Sequence, residues 1–170
     1  MEDKLSKIME MMPYGLYIVG SGSDDGDDGM MADWVMQVSF RPRLIAVALE
    51  NDAHTLDNIR ISRAFTINLL SQDEPSMAVA RRFAQPYLDS KVAGRQGSVR
   101  THHKLEGAGF TRASNGFAVL DEATAWLECQ AEDFHPTGDH VLVVGLVTSG
   151  DLRREADVLI STYTGWNYSG

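Results

Sequence analysis

The stretch MMADWVMQVSF, residues 30–40, places an apolar side chain at every even position: Met30, Ala32, Trp34, Met36, Val38 and Phe40. Asp33, Gln37 and Ser39 occupy odd positions. Alternation of period two over this length predicts a β-strand with one face in a core and the other more polar. Beyond Arg41-Pro42-Arg43, LIAVALE (44–50) is apolar throughout and reads as a strand buried on both faces, so the two segments form a hairpin pair. Upstream, YGLYIVGS (14–21) reads as a strand and SDDGDDG (23–29) as a polar turn, because Gly and Asp tolerate the conformations a tight connection demands.

The remaining pattern is short strands with few helices. KLSKIMEMM (4–12) predicts a helix with Leu5, Ile8, Met9 and Met12 on one face, stopped by Pro13. NDAHTLDNIRIS (51–62) predicts a second, with Asp52 or Thr55 as N-cap and Leu56, Ile59 and Ile61 turned inward. AFTINLLS (64–71) reads as a strand, and EPSMAVARRFA (74–84) as a helix entered by Pro75. From Gln85 to Asn115 the periodicity disappears. Strands resume at 116–120, 123–134, 140–151 and 157–163. Six or seven strands joined mostly by hairpin-length turns, without βαβ alternation, predict a mainly β protein: an antiparallel barrel with two or three short flanking helices.

Composition narrows the function. At 170 residues and 18.7 kDa the chain is expected to form a single domain, 1–170. A net charge of −9 argues against a sequence-independent grip on nucleic acid. The charge is uneven: residues 41–112 carry eleven Lys/Arg against seven Asp/Glu, a net +4 that suits a phosphorylated ligand. One cysteine, Cys129, excludes an internal disulfide, and on the small apolar face of its strand it reads as a buried, inert thiol. The histidines match no zinc spacing, so no metal is expected. No apolar run reaches the length of a membrane span and the N-terminus lacks a signal-peptide core, so a cytoplasmic protein is expected.

Gly20-Ser21-Gly22 fails as a dinucleotide loop, since Asp25 stands where the third glycine belongs and a strand follows where a helix is needed. Two constellations remain. Asp33, Trp34, Gln37 and Ser39 put polar groups and an indole on one strand, shortly before His54-Thr55 at a helix start. Such a helix start binds phosphate through its unsatisfied N–H groups. Gly138-Asp139-His140 opens a buried strand.

Six segments in this order, ADWVMQVSFRP (32–42), HTLDNIR (54–60), AFTINLL (64–70), RRFA (81–84), AVLDEATAWLEC (118–129) and GDHVLVVGLV (138–147), resemble the flavin reductase-like family of FMN-binding split barrels. The likeness is closest to its flavoredoxin and rubredoxin-associated branch. The resemblance implies an antiparallel split β-barrel that forms a homodimer and binds FMN near the subunit interface. It implies that Met31, Ala32, Asp33 and Trp34, with Gln37, Val38 and Ser39, lie along the flavin ring and ribityl chain. Thr55 beside His54, and Lys91, would serve the phosphate. His140 would approach the flavin and is the candidate catalytic residue, and Tyr163 and Trp166 would cover the ring. Where the family often has Asn-Gly-Met-Thr, this chain has Asp28-Gly29-Met30-Met31, which removes one hydroxyl.

The activity implied is that of an NAD(P)H-dependent flavin reductase. The alternative is a non-catalytic FMN carrier exchanging electrons with a redox protein such as rubredoxin. The basic, glycine-bearing stretch 86–112, with Lys91, Arg95, Arg100, Lys104 and Arg112, is the expected lid over the flavin and contact for the donor.

Overall fold

The computed structural model describes residues 4–24, 26–85 and 104–166. Its elements in chain order are α1 (Lys4–Glu10), β1 (Tyr17–Ser23), β2 (Gly26–Ala32), β3 (Val35–Phe40), β4 (Arg43–Glu50), α2 (His54–Ser62) and β5 (Ala64–Leu69). There follow α3 (Glu74–Phe83), β6 (Phe110–Arg112), β7 (Ala118–Leu120), β8 (Ala125–Thr137), β9 (His140–Leu152) and α4 (Ser161–Thr164). Seven strands form one antiparallel sheet in the order β2-β1-β5-β8-β9-β4-β3, and β6 pairs with β7 apart from it.

That order forces closure. β2 and β3 are the two edges of the sheet, yet only Asp33 and Trp34 separate them in sequence. Three Cα–Cα steps of 3.8 Å hold the end of β2 within about 11 Å of the start of β3. A seven-stranded sheet whose edges are tied this closely must curl into a barrel, and where the two edges diverge without pairing the barrel is split. The mainly β split-barrel expectation is met, with four helices among the described residues.

Two cores lie on opposite faces of β1 and β5. Inside the barrel, Val19, Val47, Leu49, Phe65, Ile67 and Val143 pack around Leu56 and Ile59 of α2, the helix that joins the end of β4 to the start of β5. On the other face, Leu16, Ile18, Leu70 and Leu120 pack against Met77, Ala80 and Phe83 of α3. Burying each of the Val, Leu, Ile, Met and Phe side chains among them contributes about 1.5–3 kcal/mol. α3 begins at Asp73, whose carboxylate accepts from the Ser76 N–H at 2.9 Å, and Pro75 occupies its first turn as expected. At the start of β4 and the end of β5, opposite α2, a cleft of about 480 Å³ opens between Arg43, Leu69, Leu127, Val147 and Asp151.

Several expectations are corrected. The stretch 30–40 is not one strand: it is the end of β2, a break at Asp33-Trp34, and β3. Its even residues do not all face the core, since Met36, Val38 and Phe40 are 62%, 44% and 82% exposed. The alternation is real, but it continues across two edge strands, and in β3 the even face points away from the barrel while Val35 pairs with Val47 inside. The polar turn at 23–29 is far shorter, because Asp27, Asp28 and Gly29 pair with Gly22, Ser21 and Gly20 in the β1–β2 ladder. α2 starts at His54 with Ala53 as N-cap, not Asp52 or Thr55, and Ile61 is 72% exposed. Leu5, Ile8, Met9 and Met12 of the first helical segment are also exposed. The expected strand 157–163 is two isolated bridges, at Val158 and Ile160, followed by α4.

Cys129 is buried, and burial, with Glu128 beside it, pushes its thiol up to about 12, as an inert core residue requires. Gly145 of β9 lies against the fully buried Phe65, and a Cβ there would meet the Phe65 ring at 2.6 Å. Gly145→Ala should therefore destabilise the barrel by about 1–3 kcal/mol through overpacking, read as a lower urea midpoint at unchanged slope.

Candidate functional site

The split draws together residues from three connections. At the break, the carbonyl of Asp33 accepts from the Val35 N–H at 3.0 Å, and the carbonyl of Trp34 accepts from the Ala48 N–H at 3.0 Å. This ties the start of β3 to the later part of β4 and brings Trp34 beside His140. The two rings lie 4.7 Å apart at 40°. His140 opens β9 after the two-residue turn Gly138-Asp139, where Gly138 has φ +79°, a conformation suited to the first position of a tight hairpin turn.

That turn is clamped from the β4–α2 connection. The Asn51 side-chain amide donates to the Gly138 carbonyl at 3.0 Å, and the Asn51 N–H donates to the Asp139 carbonyl at 2.9 Å. The start of α2 is thereby coupled to His140. His140 is 7% exposed, sits opposite Glu50 in the β4–β9 ladder, and has Nδ1 2.7 Å from Asp139 Oδ1. Hydrogen bonding to His140 holds the exposed Asp139 carboxyl below its ordinary value. Burial raises the Asp33 carboxyl to about 6, against the opposing pull of the Asp33 and Trp34 backbone N–H groups and of His140.

α2 follows three residues after Glu50. Its N-cap, Ala53, has no side-chain acceptor for the first-turn N–H groups, which leaves the helix start suited to an anion. Thr55, one residue into the helix, is buried. Asp57 in the same turn carries the opposing charge, and its carboxylate is engaged by Arg60 at 3.3 Å. On the other side of the break, β3 pairs only with β4, and its ladder shifts register between Gln37 and Ser39. The Gln37 amide donates to the Ser39 carbonyl at 3.1 Å, and Val38 is the extra residue of this bulge.

Thus Asp33, Trp34 and His140 come together, with His54 and Thr55 attached through Asn51, and Gln37, Val38 and Ser39 continue along the edge. Ala32 belongs to the barrel core. Met31 and Trp166 pack against the second core, on the α3 side, and Tyr163 is half-exposed on α4. Lys91, expected at the phosphate, and most of the expected lid lie outside the described residues. Of the two lid cations that are described, Lys104 is 4% exposed and not available as a surface contact, whereas Arg112 is exposed and pairs with Asp27 at 2.5 Å. Sequence reasoning names Asp139 within Gly138-Asp139-His140 without giving it a role, and misses Asn51 as a member of the cluster. The adjacency of Asp139 to His140 was the available signal, whereas nothing local marks Asn51.

Asp33 generates a pH prediction. A carboxyl whose folded value is raised binds its proton longer in the folded state, so stability falls as pH rises from about 4 to about 6. Asp33→Asn removes this term. The melting temperature of the variant relative to wild type should rise between pH 4 and pH 7, and a constant difference across that range would contradict it.

Comparison with known proteins agrees with this architecture. Diflavin flavoprotein A 1 of Synechocystis sp. is 27% identical over 154 residues, covering 91% of this chain and 25% of that protein. The chain therefore spans about a quarter of the length of such diflavin relatives. NADH-dependent FMN reductase AsuE2 of Streptomyces nodosus subsp. asukaensis is 26% identical over 141 residues, 83% of this chain and 70% of that one. The solved structure of flavin reductase PheA2 in its native state superposes with a TM-score of 0.73 at 26% identity, covering 94% of this chain and 93% of that one. These likenesses do not single out the flavoredoxin branch. The flavin reductase like domain model matches residues 9–168, nearly the whole chain, and the chain belongs to that family.

Proposed function

We propose that this chain is an FMN-binding oxidoreductase of the flavin reductase type, taking electrons from NAD(P)H, with residues 1–170 acting as one flavin-binding domain in the cytoplasm. The observation that carries the reading is the cluster at the barrel split: Trp34 against His140, tied by Asn51 to a helix start that has no side-chain cap. Among the described residues no helix is long and apolar enough to cross a membrane.

These residues suit a flavin. Gln37, Val38 and Ser39 offer an apolar side chain and hydrogen-bonding groups along an edge strand, Asp33 and Trp34 form the break that precedes it, and Met31 and Ala32 at the end of β2 are assigned to the same flavin contact. A planar ring with a polar rim needs both. The start of α2, with His54 and Thr55, suits the phosphate, joined by Lys91. Tyr163 and Trp166, on the α4 side, are assigned to covering the ring. A bound flavin supplies hydride acceptance from a nicotinamide; the protein supplies placement and exclusion of side reactions. Relatives named as flavin reductases support the enzymatic reading over that of an electron carrier.

The dimer belongs to the same proposal. Met36, Val38 and Phe40 expose apolar surface on β3, and Leu5, Ile8, Met9 and Met12 do so near the N-terminus. A second copy of the chain would cover such surface and wall the site. Sedimentation should give a dimer of the 18.7 kDa chain. Met36→Asp with Phe40→Asp should shift it to monomer and weaken FMN binding. A wild-type monomer with full flavin affinity would remove the interface model.

The function is tested by adding NADH and NADPH to the protein with FMN under anaerobic conditions, where bleaching of the flavin band is expected. Thr55→Ala with Lys91→Ala should weaken FMN by about 1.5–3 kcal/mol while leaving riboflavin nearly unchanged. Equal loss for both ligands would reject the phosphate assignment.

A further inference from the structure

His140 is held more tightly than contact with a ligand alone requires. Its backbone is fixed in three ways: the β4 ladder through Glu50, the Thr137 hydroxyl donating to its carbonyl at 3.2 Å, and the turn clamped by Asn51. Its ring is fixed by Trp34 on one side and by Asp139 at Nδ1. Asp139 lies on the outside of the turn with its side chain almost wholly exposed, and packing does not account for its position. Among the described residues its side chain contacts the imidazole.

We infer that Asp139 is a positioning residue: it holds His140 in the Nδ1–H tautomer and so makes Nε2 the atom at which this histidine gains and loses a proton. The chemistry is direct. An ionised carboxylate has only acceptors, so a nitrogen 2.7 Å from Asp139 Oδ1 must carry the hydrogen. The carboxyl is held ionised by the same contact. In the neutral ring Nε2 then accepts, and in the cation it donates. Of the other acidic residues, Asp33 interacts electrostatically with His140, and Glu50 stands opposite it in the ladder.

The inference rests on the flavin reading for its use. Full reduction of a flavin takes one hydride and one proton. A proton leaving Nε2 returns the ring to the neutral Nδ1–H form, with no change at the Asp139 contact. The opposite tautomer would have to rearrange at each turnover. Preorganisation of this kind acts on the rate of the proton-dependent step rather than on ligand affinity.

The test uses ¹⁵N NMR of the ligand-free protein above the titration range of histidine. His140 should show the Nδ1–H signature in the wild type, move towards Nε2–H in Asp139→Ala, and return in Asp139→Asn, whose amide oxygen can accept the same hydrogen. In the presence of FMN and NAD(P)H, Asp139→Ala should lower kcat about ten- to a hundredfold, with little change in FMN affinity and recovery in Asp139→Asn. An Nε2–H wild type, or a tautomer indifferent to Asp139→Ala, overturns the inference. A fall in melting temperature without a tautomer change overturns it as well and leaves Asp139 a turn residue. If the tautomer follows Asp139 but His140→Ala alters neither FMN affinity nor reduction, the placement of His140 in a flavin site fails and the catalytic use fails with it.

Discussion

The two residues between β2 and β3 are the constraint on which the molecule turns. Because Asp33 and Trp34 tie opposite edges of one seven-stranded sheet, the strands cannot lie open and the barrel has to form. β2 and β3 are not paired with each other, so closure is incomplete. What surrounds the split follows: α2 fills the interior with Leu56 and Ile59, and the long β8–β9 hairpin spans the sheet opposite and delivers His140 to the break.

The opening also explains why polar groups concentrate there. An edge strand leaves one side of its backbone outside the ladder, and in a closed barrel no such edge exists. Here β3 keeps its edge, bulged at Val38, next to a helix start with no side-chain cap. Both are places where the backbone itself offers hydrogen bonds. A planar, polar-rimmed ligand with a phosphate is the kind of molecule that meets both at once. The acidic groups at the break are moderated differently: Asp33 by partial burial, which raises its carboxyl to about 6, and Asp139 by its contact with His140, which favours its charged form.

Much of the fold was legible because the strongest local signals coincide with the deepest packing. The strand at 44–50, the inward pair Leu56 and Ile59, and the small-residue face containing Cys129 all read correctly from periodicity. The errors share a physical cause. Period two reports that alternate residues point to opposite sides; it does not report which side is covered, nor where a chain passes from one edge of a sheet to the other. Residues 30–40 keep an apolar residue at every even position through the break at Asp33-Trp34, so one strand and two are the same pattern. The exposure of Met36 and Phe40 depends on what lies outside the sheet, which no local pattern records. Asp28 was read as turn for a related reason: its composition suits a loop, yet the β1–β2 ladder continues past it and leaves it 1% exposed.

The candidate site was legible in part, and the part that was missed is instructive. Trp34, Thr55 and His140 are residue types that stand out against their surroundings, and the family resemblance selects them. Asn51 does not stand out: it sits in a connection where asparagine is ordinary, and its role appears only when residues 87 positions apart are brought together at Gly138. Yet it is Asn51 that joins the anion-suited helix start to the histidine, so the spatial relation between the two constellations resides in a residue that neither contains. Side chains that perform chemistry are constrained by type and are visible in sequence. Those that set distances between them are constrained by tertiary position, and any residue with the right donor at that point would serve.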